Sequence, residues 1–298
     1  MTGPKMEKVS IIIPAKNEGA NVEMTVDSFL QTSSAVSFEL IVVNDASEDD
    51  CCRFLAENEG YWLNLGVKLI TTGGIGSANA RNLGASHAAG DILIFSDAHV
   101  VVEKDWLDKM AVPMRHPVID VLVPGIADYH NPVNAGFGQT WDNRLEIRWL
   151  KAPPGVCPVP LAPGGLLAIK KEAFSCVGGF ERGFKIWGYE DVELSLKCWL
   201  FGFGVYTTPH VTVRHIFRPQ HTYYVSFDEV NYNLLQMAIS HFNSQRLAKT
   251  IAMISPMPKI EKILAEITLS DVLEQRRDYF NRRKYDDDWF MAKFKIPY

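Results

Sequence analysis

The 298-residue sequence contains no apolar run approaching the roughly 18 residues that cross a bilayer. Its first apolar stretch, Val9 to Ile13, is cut off by Pro14 and Lys16, so neither a membrane span nor a secretory leader is expected. There is no CxxC pair. The five cysteines, at 51, 52, 157, 176 and 198, form an odd set, so neither a disulfide framework nor a zinc knuckle is indicated. Reduced, mostly buried thiols remain, the pattern of a cytoplasmic protein. Strong charge of one sign is also missing: a net charge of −5 and a pI near 5.9 give a polyanion nothing to bind, and no local basic patch points to a nucleic-acid partner. No internal repeat or low-complexity tract is present. What is there is ordinary globular composition, 47% hydrophobic and 22% charged, with enough apolar residues for a substantial core.

Short β-branched runs alternate with helical patterns along the first hundred residues. Val9–Pro14 and Phe38–Asn44 are apolar and end in polar loops, as buried parallel strands do, with a helix predicted between them from Ala20 to Thr32. Helical Cys51–Asn58 precedes a third strand, Val67–Thr71. After Gly73–Gly76, a helix over Ala78–Ala88 leads to a fourth strand, Asp91–Phe95. This alternation predicts right-handed βαβ units and a Rossmann-like, doubly wound, mostly parallel sheet. Beyond Trp106 the reading is a helix, then Pro-rich and Gly-rich loops from Pro113 to Gly165, then Leu166–Ile169 and a motif-dense stretch over Gly178–Arg218. The predicted organisation is an α/β domain over residues 1–218, divided into a nucleotide-binding half (1–105) and an acceptor half (106–218), with a helical C-terminal extension over 219–298. In the extension Tyr223–Ser244 reads as helical, Pro256 and Pro258 punctuate, and Ile260, Ile263, Leu264 and Ile267 recur at helical spacing. That stripe suits core completion or a homodimer through the C-terminal helices better than a lid over the acceptor.

Ligands of open α/β sheets sit beyond the carboxyl ends of the strands, where the strand order switches. The polar residues after each strand are therefore the candidates: Lys16, Asn17 and Glu18 after the first, Asn44 and Asp45 after the second, Asp97 and His99 after the fourth. Asp97 and His99, two apart in extended chain, point to one side, and a carboxylate with an imidazole suits Mn²⁺ or Mg²⁺. His215, inside Val213–Arg218, is the expected third metal ligand. A divalent ion there neutralises a departing diphosphate without proton transfer. Glu190, Asp191 and Glu193 open a helix, where acids favour its dipole; Glu190 or Asp191 could also take the proton of a nucleophile or hydrogen-bond sugar hydroxyls. Gly164–Gly165 permits close backbone approach to a ligand or makes a tight turn.

Ile13–Glu18, Val43–Ser47, Ala78–Ala85, Ser96–His99, Ala162–Gly165, Trp187–Leu194 and Arg214–Arg218 occur in the order seen in GT-A glycosyltransferases of the family 2 type. They are most similar to the catalytic domains of polypeptide N-acetylgalactosaminyltransferases, and Trp141–Trp149 is similar to a segment there; the resemblance covers about residues 8–222. It implies a GT-A fold and a UDP-sugar donor, with Asp45 and the turn Pro14, Lys16, Asn17, Glu18 toward the uridine and Arg81 near the nucleotide or diphosphate. It also implies Asp97, His99 and His215 as metal ligands, with Gly164, Gly165, Trp187, Glu190 and Asp191 around the donor sugar and acceptor. The animal enzymes carry an N-terminal membrane anchor and a C-terminal lectin domain that have no counterpart in this sequence, which in this respect resembles bacterial transferases that modify peptides or build surface glycans. Asp191 stands where their motif usually has Asn; Glu-Asp at this place is similar to inverting GT-A transferases, so Asp191 is expected to act as general base. The resulting expectation is a metal-dependent transferase moving a sugar from a UDP-sugar to a peptide side chain or a glycan hydroxyl. A nucleotidyltransferase would need a Lys-bearing Gly-rich loop near the N-terminus, whereas Thr72–Gly76 lies too far along and lacks the Lys. A non-catalytic nucleotide- or glycan-binding module would have lost the metal ligands or Glu190 and Asp191, and all are present.

Overall fold

The computed structural model describes residues 8–256 and 259–298; Pro258 lies outside the described residues. The chain runs β1 (Val9–Ala15), α1 (Asn21–Leu30), β2 (Phe38–Asp45), α2 (Arg53–Glu57), α3 (Glu59–Asn64), β3 (Val67–Thr72), α4 (Ser77–Ser86) and β4 (Ile92–Ser96). It continues through β5 (Val100–Val101), α5 (Trp106–Met114), β6 (Val121–Asp128), β7 (Ala135–Gly136), β8 (Gln139–Trp141), β9 (Ile147–Trp149), β10 (Cys157–Pro158) and β11 (Leu166–Lys170). Then come α6 (Lys171–Val177), α7 (Glu190–Phe201), β12 (Val205–His215) and the helices α8 (Phe227–His241), α9 (Ser244–Ile254), α10 (Ile260–Thr268), α11 (Val272–Arg282) and α12 (Asp287–Phe294).

The main sheet has the order β10-β12-β6-β11-β4-β1-β2-β3, with β5 on β12 and β7 on β6. The β4-β1-β2-β3 part is wholly parallel, and the order switches where the chain leaves β3 and returns to the far side of β1 as β4. There the carboxyl ends of β1 and β4 lie side by side, which places Lys16–Glu18 next to Asp97–His99. On the other side β11 runs antiparallel to β4 and β6, while β6 and β12 are parallel to one another. Alternate residues feed two cores. Ile11, Ile13, Leu40, Val42 and Ile94 pack under α1 and α5. Ile12, Ile41, Val43, Leu93 and Phe95 pack under α4, α6, α7 and α8.

The stretch expected to be loop from Pro113 to Gly165 holds a central strand, β6. Pro124 and Gly125 hide it, since proline normally argues against a central strand. The structure accommodates Pro124 because the β6–β11 pairing uses only Val121 and Leu122, and the register on β12 shifts between Thr207 and Thr212, opposite the proline. The 11-residue β12 was also missed, because Pro209 interrupts its pattern. The helix expected from Tyr223 begins at Phe227 instead: Ser226 and Glu229 form a capping box that fixes the start. The apolar stripe beginning at Ile260 is two helices, and Ile263 and Ile267 are buried in the core cluster shared with the sheet.

Candidate functional site

Three ligand-type side chains converge at the switch point. One ligand atom from each of Asp97, His99 and His215 lies within 4.8 Å of the others. Residues 116 positions apart meet because β5 pairs with β12, Val100 opposite His215, and the His215 backbone extends this contact as Ile216 N–H donates to His99 O at 3.1 Å. The two imidazoles stand edge to face with centroids 4.6 Å apart, and His215 Nε2 is 3.2 Å from Asp97 Oδ2. His215 Nδ1 is buried with no hydrogen-bond partner among the described residues. His99 Nδ1 meets Glu18 Oε2 at 3.2 Å, the carboxylate–imidazole contact that orients a metal-ligating ring. A carboxylate and two imidazoles match the donor set of a borderline divalent cation such as Mn²⁺.

Charge around this cluster is closely paired. Burial works to raise the Asp97 carboxyl, but the contact with His215 and the charge of Arg81 outweigh it and hold the group well below its ordinary value. The Arg81 guanidinium, 4% exposed, donates to Asp97 Oδ1 at 2.8 Å, to Glu190 Oε1 at 3.3 Å and to Ser77. Arg81 therefore joins the metal-type ligand to the start of α7 as well as bordering the cavity. Glu18 is likewise pushed up by burial, yet its bonds to His99 and Arg218 bring it below the usual carboxylate range.

A cavity of about 340 Å³ opens beside the cluster. Pro14, Lys16, Glu18, Asp45, Arg81, Asp97, His99, Trp187 and His215 all line it. Asn17 does not. Its φ is +55°, and it folds the turn back on the second strand: its N–H donates to Ser47 Oγ at 3.1 Å and its Oδ1 accepts from Glu48 N–H at 2.7 Å. Asp45 lines the cavity but spends its carboxylate on Thr72 and on the N–H groups of Ile75 (2.7 Å) and Gly76 (2.9 Å), fixing the entry to α4.

Gly164, Gly165, Glu190 and Asp191 stand just behind the wall. A Cβ on Gly165 would sit 3.1 Å from His215 Cδ2, and one on Gly164 would sit 3.1 Å from Asp191 Oδ2, so this turn fits between His215 and α7. Gly165 O also accepts from Asp97 N–H at 3.0 Å. Glu190 Oε2 accepts from Gly188 N–H at 2.8 Å, a return made by Gly188 and Tyr189, both at positive φ. Asp191 accepts from Gly164 N–H at 2.7 Å and Val192 N–H at 2.9 Å. Burial, reinforced by the charge of Glu190, pushes its carboxyl up to about 6.

Several site residues were not singled out from the sequence. Ser77, Arg218, His221, Thr222 and Tyr223 line the cavity, and Thr222 Oγ1 donates to Lys16 O at 3.0 Å, closing the wall formed by residues 216–223. Asn233, fully buried on α8, pins the Trp187 loop by donating to Trp187 O (3.1 Å) and Gly188 O (2.9 Å) and accepting from Lys185 N–H (2.7 Å). An asparagine at an inward position of an amphipathic helix was the available signal.

A sheet of this order with a carboxylate and two imidazoles at its switch point is a GT-A-type fold. The chain belongs to glycosyl transferase family 2, whose model matches residues 10–178, and the model for the N-terminal domain of galactosyltransferase matches residues 157–222. It is 33% identical over 228 residues to polypeptide N-acetylgalactosaminyltransferase 8 of Drosophila melanogaster, a match covering 72% of this chain and 39% of the relative. The chain thus spans about two fifths of that relative's length. Among solved structures, GalNAc-T7 with UDP, GalNAc and Mn²⁺ superimposes with a TM-score of 0.77 at 22% identity, covering 98% of this chain and 57% of that one. S. aureus TarS in complex with UDP-GlcNAc gives a TM-score of 0.61 at 17% identity, covering 92% and 81%. These two likenesses show the shared fold.

Proposed function

We propose that the chain is a metal-dependent glycosyltransferase that moves a sugar from a UDP-sugar to a peptide side chain or a glycan hydroxyl. The observation that carries this reading is the Asp97, His99 and His215 triangle opening onto a cavity at the sheet's switch point. The UDP and Mn²⁺ bound by GalNAc-T7, the UDP-GlcNAc bound by TarS and membership of family 2 support the choice of donor and ion. A divalent ion held there supplies charge neutralisation for the departing diphosphate. The protein's own groups do the rest. Glu18 orients His99, and Arg81 keeps Asp97 ionised and facing the cavity. Lys16, Arg218 and the exposed Trp187 border the space for nucleotide and sugar. Glu190 fixes Arg81 and the Gly188 turn, and Asp191, whose carboxyl is raised toward neutrality, is the group assigned to accept the acceptor's proton. Asp191 gives the carboxylate needed for inversion. Thermal-shift titration tests donor and ion together. UDP with Mn²⁺ is expected to stabilise the fold by about 2.7 kcal/mol at a hundred times its dissociation constant, with the effect abolished by EDTA. Equal stabilisation by GDP, or by UDP in EDTA, would overturn the assignment.

A further inference from the structure

Cys51 and Cys52 are neighbours whose side chains nevertheless meet. Successive side chains in regular structure diverge, yet here the two Sγ atoms are 3.7 Å apart and both residues are 3% exposed. Cys52 precedes α2 with φ −111° and ψ 6°, in the sparsely populated bridge region, and this turns its thiol toward its neighbour. The pair is tied through Ser47 and Asp49 to the turn that follows β1. Cys51 Sγ is 3.3 Å from Ser47 Oγ, Ser47 Oγ receives the Asn17 N–H, and Asp49 bonds the N–H groups of both Gly19 (2.8 Å) and Cys51 (3.2 Å). The turn so held carries Lys16 and Glu18 into the cavity.

We propose that Cys51 and Cys52 form an oxidation site, closing to a vicinal disulfide under a small hydroperoxide and so disordering the Ser47 loop that shapes the nucleotide pocket. The Cys51 thiolate attacks one peroxide oxygen; the O–O bond breaks, hydroxide leaves and takes up a proton as water, and Cys51 becomes a sulfenic acid. The Cys52 sulfur then attacks the Cys51 sulfur, the S–O bond breaks, and a second water leaves. Two thiols are oxidised and one peroxide is reduced. The contact with Cys52 holds Cys51 below the ordinary thiol range, while the same contact and burial push Cys52 up, so Cys51 is the first sulfur to react. Closing the gap to the roughly 2.05 Å of a disulfide draws Cys51 away from Ser47. Only the consequence for nucleotide binding rests on the proposed function.

The test is treatment of the reduced full chain with hydrogen peroxide, followed by peptide mass mapping, hydrogen exchange and UDP titration with Mn²⁺. Expected are a loss of two hydrogens in the peptide bearing residues 51 and 52, reversed by dithiothreitol, faster exchange over residues 44–50, and a UDP dissociation constant raised at least fivefold. Cys52→Ser and Cys52→Ala are each expected to abolish the internal link and the exchange change; two variants guard against a folding defect in either. A linkage to the exposed Cys176, over-oxidation of Cys51 without linkage, or a 51–52 linkage with unchanged exchange overturns the proposal. If the reduced protein does not bind UDP, the donor assignment fails, while the mass map and the exchange data still decide the thiol site.

Discussion

Asp97 and Asp191 are both carboxylates near the cavity, and their surroundings push them in opposite directions. Asp97 faces Arg81 and His215 and is held ionised; Asp191 faces burial and Glu190 and is raised to about 6. Asp97→Ala or His215→Ala is expected to lower turnover by about a hundredfold or more, on the scale of lost electrostatic stabilisation. Calorimetry should show Mn²⁺ binding weakened in the same variants; unchanged Mn²⁺ affinity would remove them from the ligand set. For Asp191 the folded value lies above the unfolded carboxyl value of about 3.9. Its contribution to stability is therefore greatest below about pH 4 and is lost as pH rises through 6. Activity should run the opposite way, rising through about pH 6 as the carboxylate forms. Asp191→Asn keeps a carbonyl oxygen that can accept from the Gly164 and Val192 N–H groups, so it should change stability by no more than about 1 kcal/mol, and reduce kcat roughly a hundred- to ten-thousandfold if the group is a general base. Retained activity, or NMR showing the donor's anomeric configuration kept in the product, rules this role out.

The helix α7 carries Glu190 and Asp191 at its start and is fastened again one turn later by a fully buried charge group. Glu193 Oε1 meets His241 Nε2 of α8 at 2.7 Å, and Lys197 Nζ lies 3.1 Å from Glu193 Oε2, with Tyr279 of α11 stacked on His241. Removing Lys197 leaves the buried Glu193 carboxylate with the His241 contact alone, so Lys197→Met is expected to cost about 3 kcal/mol or more, read as a lower denaturant midpoint. Glu193→Leu combined with Lys197→Met should recover much of that loss; no recovery would mean that packing dominates. At this scale the sequence was legible where periodicity was clean. β1, β2, β3, β4 and α4 lie within a residue or two of expectation, and with them the positions of Lys16, Asp97 and His99. β6 and β12 were obscured by Pro124 and Pro209, whose tolerance depends on a register shift between strands that no local pattern reveals. Asn17, expected near the uridine, lies off the cavity lining because its positive φ aims the side chain at Glu48.

Across the whole molecule the C-terminal helices are part of the catalytic fold's packing. Phe242, Ile263, Ile267 and Phe290 belong to the same core cluster as Leu167, Phe180 and Val192, and Trp141 packs edge to face with Phe242 and Phe290. Truncation after residue 218 is therefore expected to give a chain without a cooperative thermal transition, and calorimetry of the full chain should show one transition. Two separate transitions would mean independent units. The apolar spacing of Ile260, Ile263, Leu264 and Ile267 suited core completion and a homodimer alike, because an amphipathic stripe does not name the surface that covers it. The register shift in β12 has one more consequence. From the Thr207–Val123 pair to the Thr212–Gly125 pair, β12 advances five residues while β6 advances two. The surplus is slack, exposed at His210 and followed by a strand end clamped against both β5 and β6. A residue inserted or deleted at Pro209–His210 can be taken up by that slack while His215 keeps its place, so the segment can drift in length between homologues and can accept a spectroscopic label a few residues from His215.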